Sequence, residues 1–318
     1  MNQINSGCLE VAARNEIDNY LWDATRADDL FEFKSKSPAN NPKFNKLSNR
    51  YVFEIFKAAD DGAGQAAKKI NGILAGLGIR DFGNLPDLKK IEMINDFVDI
   101  CKNKLELSPS MSEAIAQKIT EIFRFGKKEP FGPSFVVQLT LKDKRAIRWL
   151  EDSDKFYVGK VFPKHKEQII TVLRDEVFKK GIGTEEAVRL IKDKLPQAVQ
   201  NNLHHYEAVI RTSANRTRNW SRFSSFESLD VERIEIVTMR DERVSEICQA
   251  MDGKIFEVKK ISPMIDNVMS SDPEEIPDIN PFPTVEQAQN MTPEMLIDSG
   301  ISLPPYHVRC RTIYVIGE

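Results

Sequence analysis

Apolar residues recur at helical spacing over most of the N-terminal half of the chain. Residues 1–35 and 47–124 both show this period, which predicts helices. The stretch "KSPANNPKFN" (36–45) lies between them, and its prolines and asparagines predict a loop. Glycines in "ADDGAG" (59–64) and "LGIRDFGNLP" (77–86) predict two breaks. The N-terminal region is therefore predicted to be helical, with interruptions.

The clearest predicted linker is "GKKEPFGPSF" (126–135), which contains two glycines and two prolines and separates two amphipathic patterns. Helices are predicted after it at residues 144–153 and 166–181. A further helix begins at Thr184 and is expected to end near Leu195, because Pro196 follows. We place a domain boundary in the linker.

A long helix is predicted at residues 198–226, and the pattern then changes to short β-branched segments. Strands are predicted at residues 233–240, 254–258 and 312–317. The segment 261–302 is acidic and rich in proline, which predicts a long irregular excursion with a short helix near 284–298. The predicted fold class is mainly α with a small C-terminal α+β part, in which a short antiparallel sheet is closed by the last strand.

Three regions follow from these patterns: a helical N-terminal region (1–130) of unknown role, a helical part (131–230) and a small α+β part (231–318). The 318 residues carry a net charge of −3, so whole-chain charge gives no indication of a nucleic-acid partner. No apolar run is long enough for a membrane helix, and the first residues do not resemble a signal peptide. Four cysteines do not make a disulfide scaffold.

Candidate chemistry lies where the strands are predicted to meet. Cys248 falls between the first two strands, and His307 and Cys310 directly precede the third. Thiolate and imidazole ligands suit Zn²⁺, and Asp241 or a water would complete a four-ligand site. Alternatives remain open: a buried apolar Cys248 with His307 bonded to a backbone carbonyl, a Cys248–Cys310 bridge, or a catalytic thiol.

The long helix carries a polar face of a different kind. Arg211, Asn215, Arg218 and Arg222 recur at intervals that place them on one side, and Arg216 lies nearby. Arginines in this arrangement predict sequence-independent, salt-dependent contacts with DNA phosphates. A solvated face with intrahelical ion pairs is the alternative.

The order of these features resembles the phage minor head protein family, the Mu F-like and SPP1 gp7-like head morphogenesis proteins. The resemblance covers roughly residues 140–318 and rests on "KKGIGTEEAVRLI", "VIRTSANRTRNWSRF", "RDERVSEICQAMDGKIF" and "PPYHVRCRT". The residues that match the family pattern beside the cysteines and the histidine are Asp241, Arg243, Ser245, Asp252, Gly253, Phe256, Pro304 and Pro305. Many members carry cysteine where Ser245 and Thr312 stand here. The resemblance therefore implies that the motif has a mainly structural role, in which a bound metal is optional.

The resemblance implies a role in virion assembly. Such proteins associate with the portal and other head proteins and act in head assembly or in the fate of packaged DNA. The implied location is the host cytoplasm during assembly and then the virion head, without a membrane partner. Catalysis is not expected.

Two other functions are weighed against this one. A metal-dependent nuclease or hydrolase would use His307, Cys310, Cys248 and Asp241. The third hypothesis is a relative of the bacterial toxins in which this type of domain is followed by a toxin. It is not favoured, because the chain ends six residues after Thr312.

Overall fold

The computed structural model describes residues 37–77, 82–105, 107–160, 162–200 and 203–317, without the side chains of residues 105, 163–165 and 198. The helix predicted within residues 1–35 lies outside these ranges. Among the described helices, none is long and apolar enough to cross a membrane.

Helix α1 (Pro42–Gly76) is longer than its sequence predicts. It begins after Asn41, whose side chain accepts hydrogen bonds from the backbone of Lys43 and Phe44, so the predicted loop ends earlier than expected. The predicted break at 59–64 is wrong, because Ala59 and Ala63 are fully buried within a continuous helix. Two glycines cost about 2 kcal/mol in an isolated helix, and the burial of this small-residue face against neighbouring helices offsets that cost.

Six more helices of the first two regions follow α1 along the described part of the chain. They are α2 (Asp87–Leu105), α3 (Pro109–Lys128), α4 (Leu141–Gly159), α5 (Phe162–Thr171, continued by a π-helical segment Val172–Phe178), α6 (Thr184–Gln200) and α7 (Leu203–Ser228). Helix α6 runs through Pro196 to Gln200, so its predicted end at Leu195 is wrong.

The predicted strands are present, although each is shorter than expected. Strands β1 (Arg233–Val237), β2 (Ile255–Glu257) and β3 (Ile313–Ile316) form one antiparallel sheet in the order β2–β1–β3. Ile234 of β1 pairs with Phe256 and with Ile316, one on each side. The last strand completes this sheet at one edge and leaves it open, so the expectation of a closed sheet is wrong.

Between the strands lie five short helices: α8 (Glu246–Met251), α9 (Val258–Val268), α10 (Ile276–Ile279), α11 (Val285–Asn290) and α12 (Pro293–Asp298). The segment 261–302 is thus more helical than its composition predicts. Helix α9 continues through Pro263, and the side chains of Thr284 and Thr292 cap the two helices near the predicted position.

The predicted linker is packed against the rest of the protein. Its first three residues belong to α3, and the ammonium group of Lys127 lies 2.8 Å from the Asp143 carboxylate and 3.1 Å from the Ser224 hydroxyl. One continuous cluster of buried apolar residues runs from Phe44 to Tyr314. The described N-terminal helices and the C-terminal region therefore share a core, and their division into three functional parts stays a prediction.

A buried carboxylate links α1, α4 and α7. The Tyr51 hydroxyl donates to one oxygen of Asp154 over 2.6 Å, and the Ser213 hydroxyl donates to the other. Asp154 is 2% exposed, and burial raises its pKa to about 6, although both hydroxyls favour the charged form. The folded protein therefore holds a proton on Asp154 that the unfolded chain releases near pH 4.

We predict that Asp154→Asn removes a pH-dependent loss of stability. Because the folded-state pKa is the higher one, the free energy of unfolding of the wild type falls as pH rises from about 4 to about 6. The amide carries no charge to desolvate and still offers an acceptor, so the variant should be about 1–3 kcal/mol more stable at pH 7. Urea unfolding between pH 4 and 8 measures this difference.

The matched control is Asp152→Asn, because Asp152 lies on the same helix with its side chain 60% exposed. Its stability should follow the wild type at every pH. A difference between Asp154→Asn and wild type that does not change with pH would contradict the assignment.

Candidate functional site

The two halves of the C-terminal motif meet because β1 and β3 pair. The first half follows β1, and the second precedes β3. The hydroxyls of Thr238 and Thr312 lie 3.1 Å apart at this junction. Ser245 caps α8 by accepting a hydrogen bond from the backbone N–H of Cys248 over 3.2 Å, which fixes Cys248 in the first turn of that helix.

Cys248, His307 and Cys310 converge as predicted. The Cys248 Sγ lies 3.0 Å from His307 Nε2 and 3.7 Å from Cys310 Sγ. The three possible ligand atoms lie within 4.8 Å of one another. Both cysteines are 2% exposed, whereas His307 is half-buried. We call these three residues the thiol–imidazole cluster.

The backbone sets the orientation of the histidine ring. Nδ1 of His307 lies 2.8 Å from the Val308 carbonyl oxygen. Because a carbonyl only accepts, Nδ1 carries a proton and Nε2 faces the sulfur of Cys248. A histidine held in this way is oriented as metal-binding histidines are.

The cluster favours a thiolate at Cys248. A hydrogen bond from Cys310 lowers the pKa of Cys248 despite its burial, and His307 and the hydroxyls of Ser245 and Thr312 act in the same direction. Burial and the neighbouring sulfur raise the pKa of Cys310, and the hydrogen bond to Cys248 raises that of His307. In the absence of a metal, the geometry thus favours a Cys248 thiolate beside a protonated His307.

Asp241 does not join the cluster. Its two oxygens accept hydrogen bonds from Arg311 over 2.5 and 2.7 Å, and this partner lowers the pKa of the carboxyl group. The pair forms a salt bridge between the two halves of the motif. The carboxylate predicted as a fourth ligand is therefore engaged elsewhere.

The other motif residues shape the chain around the cluster. Asp252 accepts a hydrogen bond from the Thr238 backbone over 2.8 Å, and Gly253 has a φ of 77°, which only glycine adopts without strain. Phe256 is 1% exposed in β2, whereas Arg243 is exposed. Pro304 and Pro305 are buried and joined by a cis peptide bond.

Residues 167–315 match the model of the family described as phage Mu protein F-like. The C-terminal region of this chain is therefore similar to that family. Searches of curated proteins and of solved structures found no match. This similarity suggests a phage head protein. The matched residues, which we call the Mu F-like region, include the whole thiol–imidazole cluster.

A second group of interacting polar side chains lies on the face of α7 that contacts β3. Arg218 donates to Glu129 over 2.9 and 2.5 Å, and Arg222 donates to the same carboxylate over 2.8 Å. The side chain of Glu129 is only 8% exposed, and although burial alone would raise its pKa, the two guanidinium groups lower it. Glu129 lies before the family match, in the segment predicted as a linker, so sequence reasoning missed it.

The same face of α7 binds the outer edge of β3. Arg222 donates twice to the Tyr314 carbonyl, over 3.1 and 2.8 Å. Asn215 and Asn219 both donate to the Thr312 carbonyl, over 3.0 and 3.1 Å. These side chains satisfy carbonyl groups that face away from β1, where an edge strand would otherwise be open. We call Glu129, the two arginines and the two asparagines the α7 clasp.

The positions of the arginines predicted to bind DNA limit which of them a DNA phosphate can contact. Arg218 and Arg222 are 1% and 4% exposed, so their guanidinium groups cannot reach a phosphate of a duplex while the helix is packed in this way. Arg211 donates to Glu207 and Asn49, over 2.7 and 2.8 Å. Arg216 is half-buried near Asp154, and burial lowers its pKa. For Arg211 and Arg216 a DNA contact stays a prediction.

We predict that Glu129→Gln destabilises the protein by about 3–5 kcal/mol, because it leaves two buried guanidinium groups without their carboxylate. The matched control is Glu113→Gln on the preceding helix α3, where the side chain is exposed and has no ion pair among the contacts described. That change should cost less than about 1 kcal/mol. Urea unfolding at pH 7 compares the two, and equal costs would show that the α7 clasp does not depend on Glu129.

Proposed function

We propose that this chain is a minor head protein of a tailed phage or prophage that acts in head assembly, associates with the portal and takes part in handling packaged DNA. The family match supports the head assignment. The observation that carries an assembly role over an enzymatic one is the geometry of the motif. Its charged and polar groups are used to join chain segments, as in the Asp241–Arg311 bridge and the α7 clasp.

The metal-dependent hydrolase is less well supported by the same geometry. Both thiols are buried, and the nearest candidate carboxylate, Asp241, is paired with Arg311. Within the described residues, the cluster of possible ligands contains no carboxylate beside its thiols and imidazole. A nucleophilic thiol there would need access to a substrate that the two buried sulfur atoms do not have.

We infer further that the thiol–imidazole cluster can hold a thiophilic metal ion such as Zn²⁺ in a structural role. Two thiolates on a tetrahedral Zn²⁺ lie about 3.8 Å apart, given Zn–S bonds of about 2.3 Å. The two sulfur atoms here are 3.7 Å apart, close to that value. The imidazole would have to withdraw by about 0.5 Å from Cys248 Sγ, which a half-buried ring at the surface of the cluster permits.

Such an ion would cross-link α8 to the segment that precedes β3. The two cysteines are 62 positions apart in sequence, so one bond network would restrain a long loop. The three protein ligands would be Cys248, His307 and Cys310. The hydroxyls of Ser245 and Thr312, which lower the pKa of Cys248, are weak ligands, so a water is the expected fourth ligand.

We predict that the purified protein binds one equivalent of Zn²⁺, measured by elemental analysis after dialysis against metal-free buffer. Cys248→Ser and Cys310→Ser should each reduce the bound metal at least tenfold, because each removes a thiolate ligand. Cys101→Ala is the matched control, since Cys101 is a fully buried thiol in α2. Two results would contradict the site. One is undiminished metal binding by Cys248→Ser and Cys310→Ser, and the other is the absence of bound metal in the wild type.

The head assignment has its own test. We predict that the protein is present in purified heads at a few copies per particle, detected by quantitative mass spectrometry, and that it sediments with the purified portal ring of the same phage. Glu129→Gln should reduce incorporation, because a weakened α7 clasp loosens the Mu F-like region, whereas Glu113→Gln should not. Heads that lack the wild-type protein would overturn the proposal.

A further inference from the structure

A cavity of about 260 Å³ lies between α4, α7, α10 and the segment that precedes β3. Apolar side chains make up most of its walls, and two of them, Phe282 and Val308, are 44% and 53% exposed to solvent. Concave sites with mainly apolar walls and a few polar groups are typical of small-ligand binding. The apolar residues of the walls are Ala208, Val209, Ile276, Pro277, Phe282 and Val308.

Six polar residues complete the walls, and five of them already have hydrogen-bond partners within the protein. The Tyr157 hydroxyl donates to the Pro273 carbonyl over 3.0 Å, and the Asn280 amide donates to the Gly300 carbonyl over 2.6 Å. These five groups therefore have little left to offer a ligand. They are Asp154, Tyr157, Thr212, Ser213 and Asn280.

Arg216 is the sixth polar residue of the walls, and its situation differs. It is half-buried on α7 and has neither a hydrogen bond nor an ion pair within the described part of the chain. Burial lowers the pKa of its guanidinium group, whereas Tyr157 and Asp154 act in the opposite direction. A guanidinium group carries five N–H donors and stays charged, so partial burial without direct partners is costly.

The acidic groups around the cavity do not supply the missing partner. Both oxygens of Asp154 accept from hydroxyl groups, and this carboxylate forms no ion pair with Arg216 among the described contacts. Glu274, whose charge acts on Tyr157, is paired with Lys160 over 3.4 Å. A carboxylate that entered the cavity would give Arg216 the direct partner that it lacks, because a carboxylate can accept two parallel N–H bonds from one guanidinium group.

We propose that this cavity binds a small organic carboxylate, which places its charge on Arg216 and one aromatic or short aliphatic group against the apolar walls. A cavity of roughly 150 Å³ holds benzene, so about 260 Å³ accommodates a ring together with a carboxylate. This volume lies below the roughly 300–1,000 Å³ of sites for drug-sized ligands, which limits the size of the ligand. The site uses neither the thiol–imidazole cluster nor the α7 clasp, and it does not depend on the proposed role in head assembly.

The test is a ligand-detected NMR titration of the full chain with benzoate and with hexanoate, at neutral pH and constant ionic strength. Each acid is compared with its amide, benzamide or hexanamide, which has a similar shape and no charge. We expect saturable binding of at least one carboxylate, with a dissociation constant on the order of 0.1–1 mM. Its amide should bind at least tenfold more weakly, because the charged hydrogen bonds to Arg216 are lost.

Two variants test the two parts of the site. Arg216→Gln should weaken carboxylate binding about tenfold or more, and Phe282→Ala should weaken benzoate binding about two- to tenfold. The matched control is Arg189→Gln on α6, whose side chain is 76% exposed and lies outside the cavity walls. Circular dichroism verifies that each variant is folded, and the comparison of acid with amide on the wild type does not depend on any variant.

Three outcomes would overturn the proposal. The first is the absence of saturable binding of either carboxylate to the wild type. The second is equal affinity for the acids and their amides, since the cavity would then be selective only for apolar groups. The third is an equal effect of Arg216→Gln and Arg189→Gln, which would place the carboxylate elsewhere on the protein.

Discussion

The structure depends on one carboxylate held between two buried guanidinium groups. Glu129 follows α3, and Arg218 and Arg222 are a turn apart on α7, so the ion pairs fix these two helices against each other. Asn41, which caps α1, also donates to Glu129 over 2.6 Å. The start of the first described helix and the centre of the family motif are thus tied to the same group. Because buried charges without partners are costly, each member of this network requires the others.

Because of that network, α7 holds the last strand, β3, in a fixed position. Strand β3 lies at the edge of a three-stranded sheet, where exposed carbonyl groups would invite pairing with another chain. The α7 clasp covers this edge with side-chain donors, and the Tyr314 hydroxyl returns a hydrogen bond to the Asn219 carbonyl. The position of β3 in turn sets where His307 and Cys310 stand relative to Cys248. The geometry of the thiol–imidazole cluster therefore follows from ion pairs that lie outside it.

Sequence patterns predicted the parts of this arrangement that are local. The three strands, the long helix and the convergence of the three candidate ligands were all predicted correctly. The break at 59–64 was predicted wrongly, because glycine propensity says nothing about the neighbouring helices that bury Ala59 and Ala63. Glu129 was not singled out because nothing in "GKKEPFGPSF" shows that its carboxylate meets arginines 89 and 93 positions later. Similarly, regular spacing on α7 predicted one polar face correctly, but could not indicate whether that face meets solvent, DNA or a strand.

The two positions at which this chain departs from the family pattern explain how the motif tolerates fewer thiols. Ser245 caps α8, and Thr312 pairs with Thr238 at the junction of β1 and β3, so both hydroxyls have roles in the backbone architecture. Both hydroxyls also lower the pKa of Cys248, so thiols at these positions would lie near the same sulfur. A hydroxyl at these positions keeps the local hydrogen bonds and would weaken the proposed metal site. The motif can tolerate hydroxyls in place of thiols because the α7 clasp and the Asp241–Arg311 salt bridge hold its segments together. These contacts do not require a full set of metal ligands.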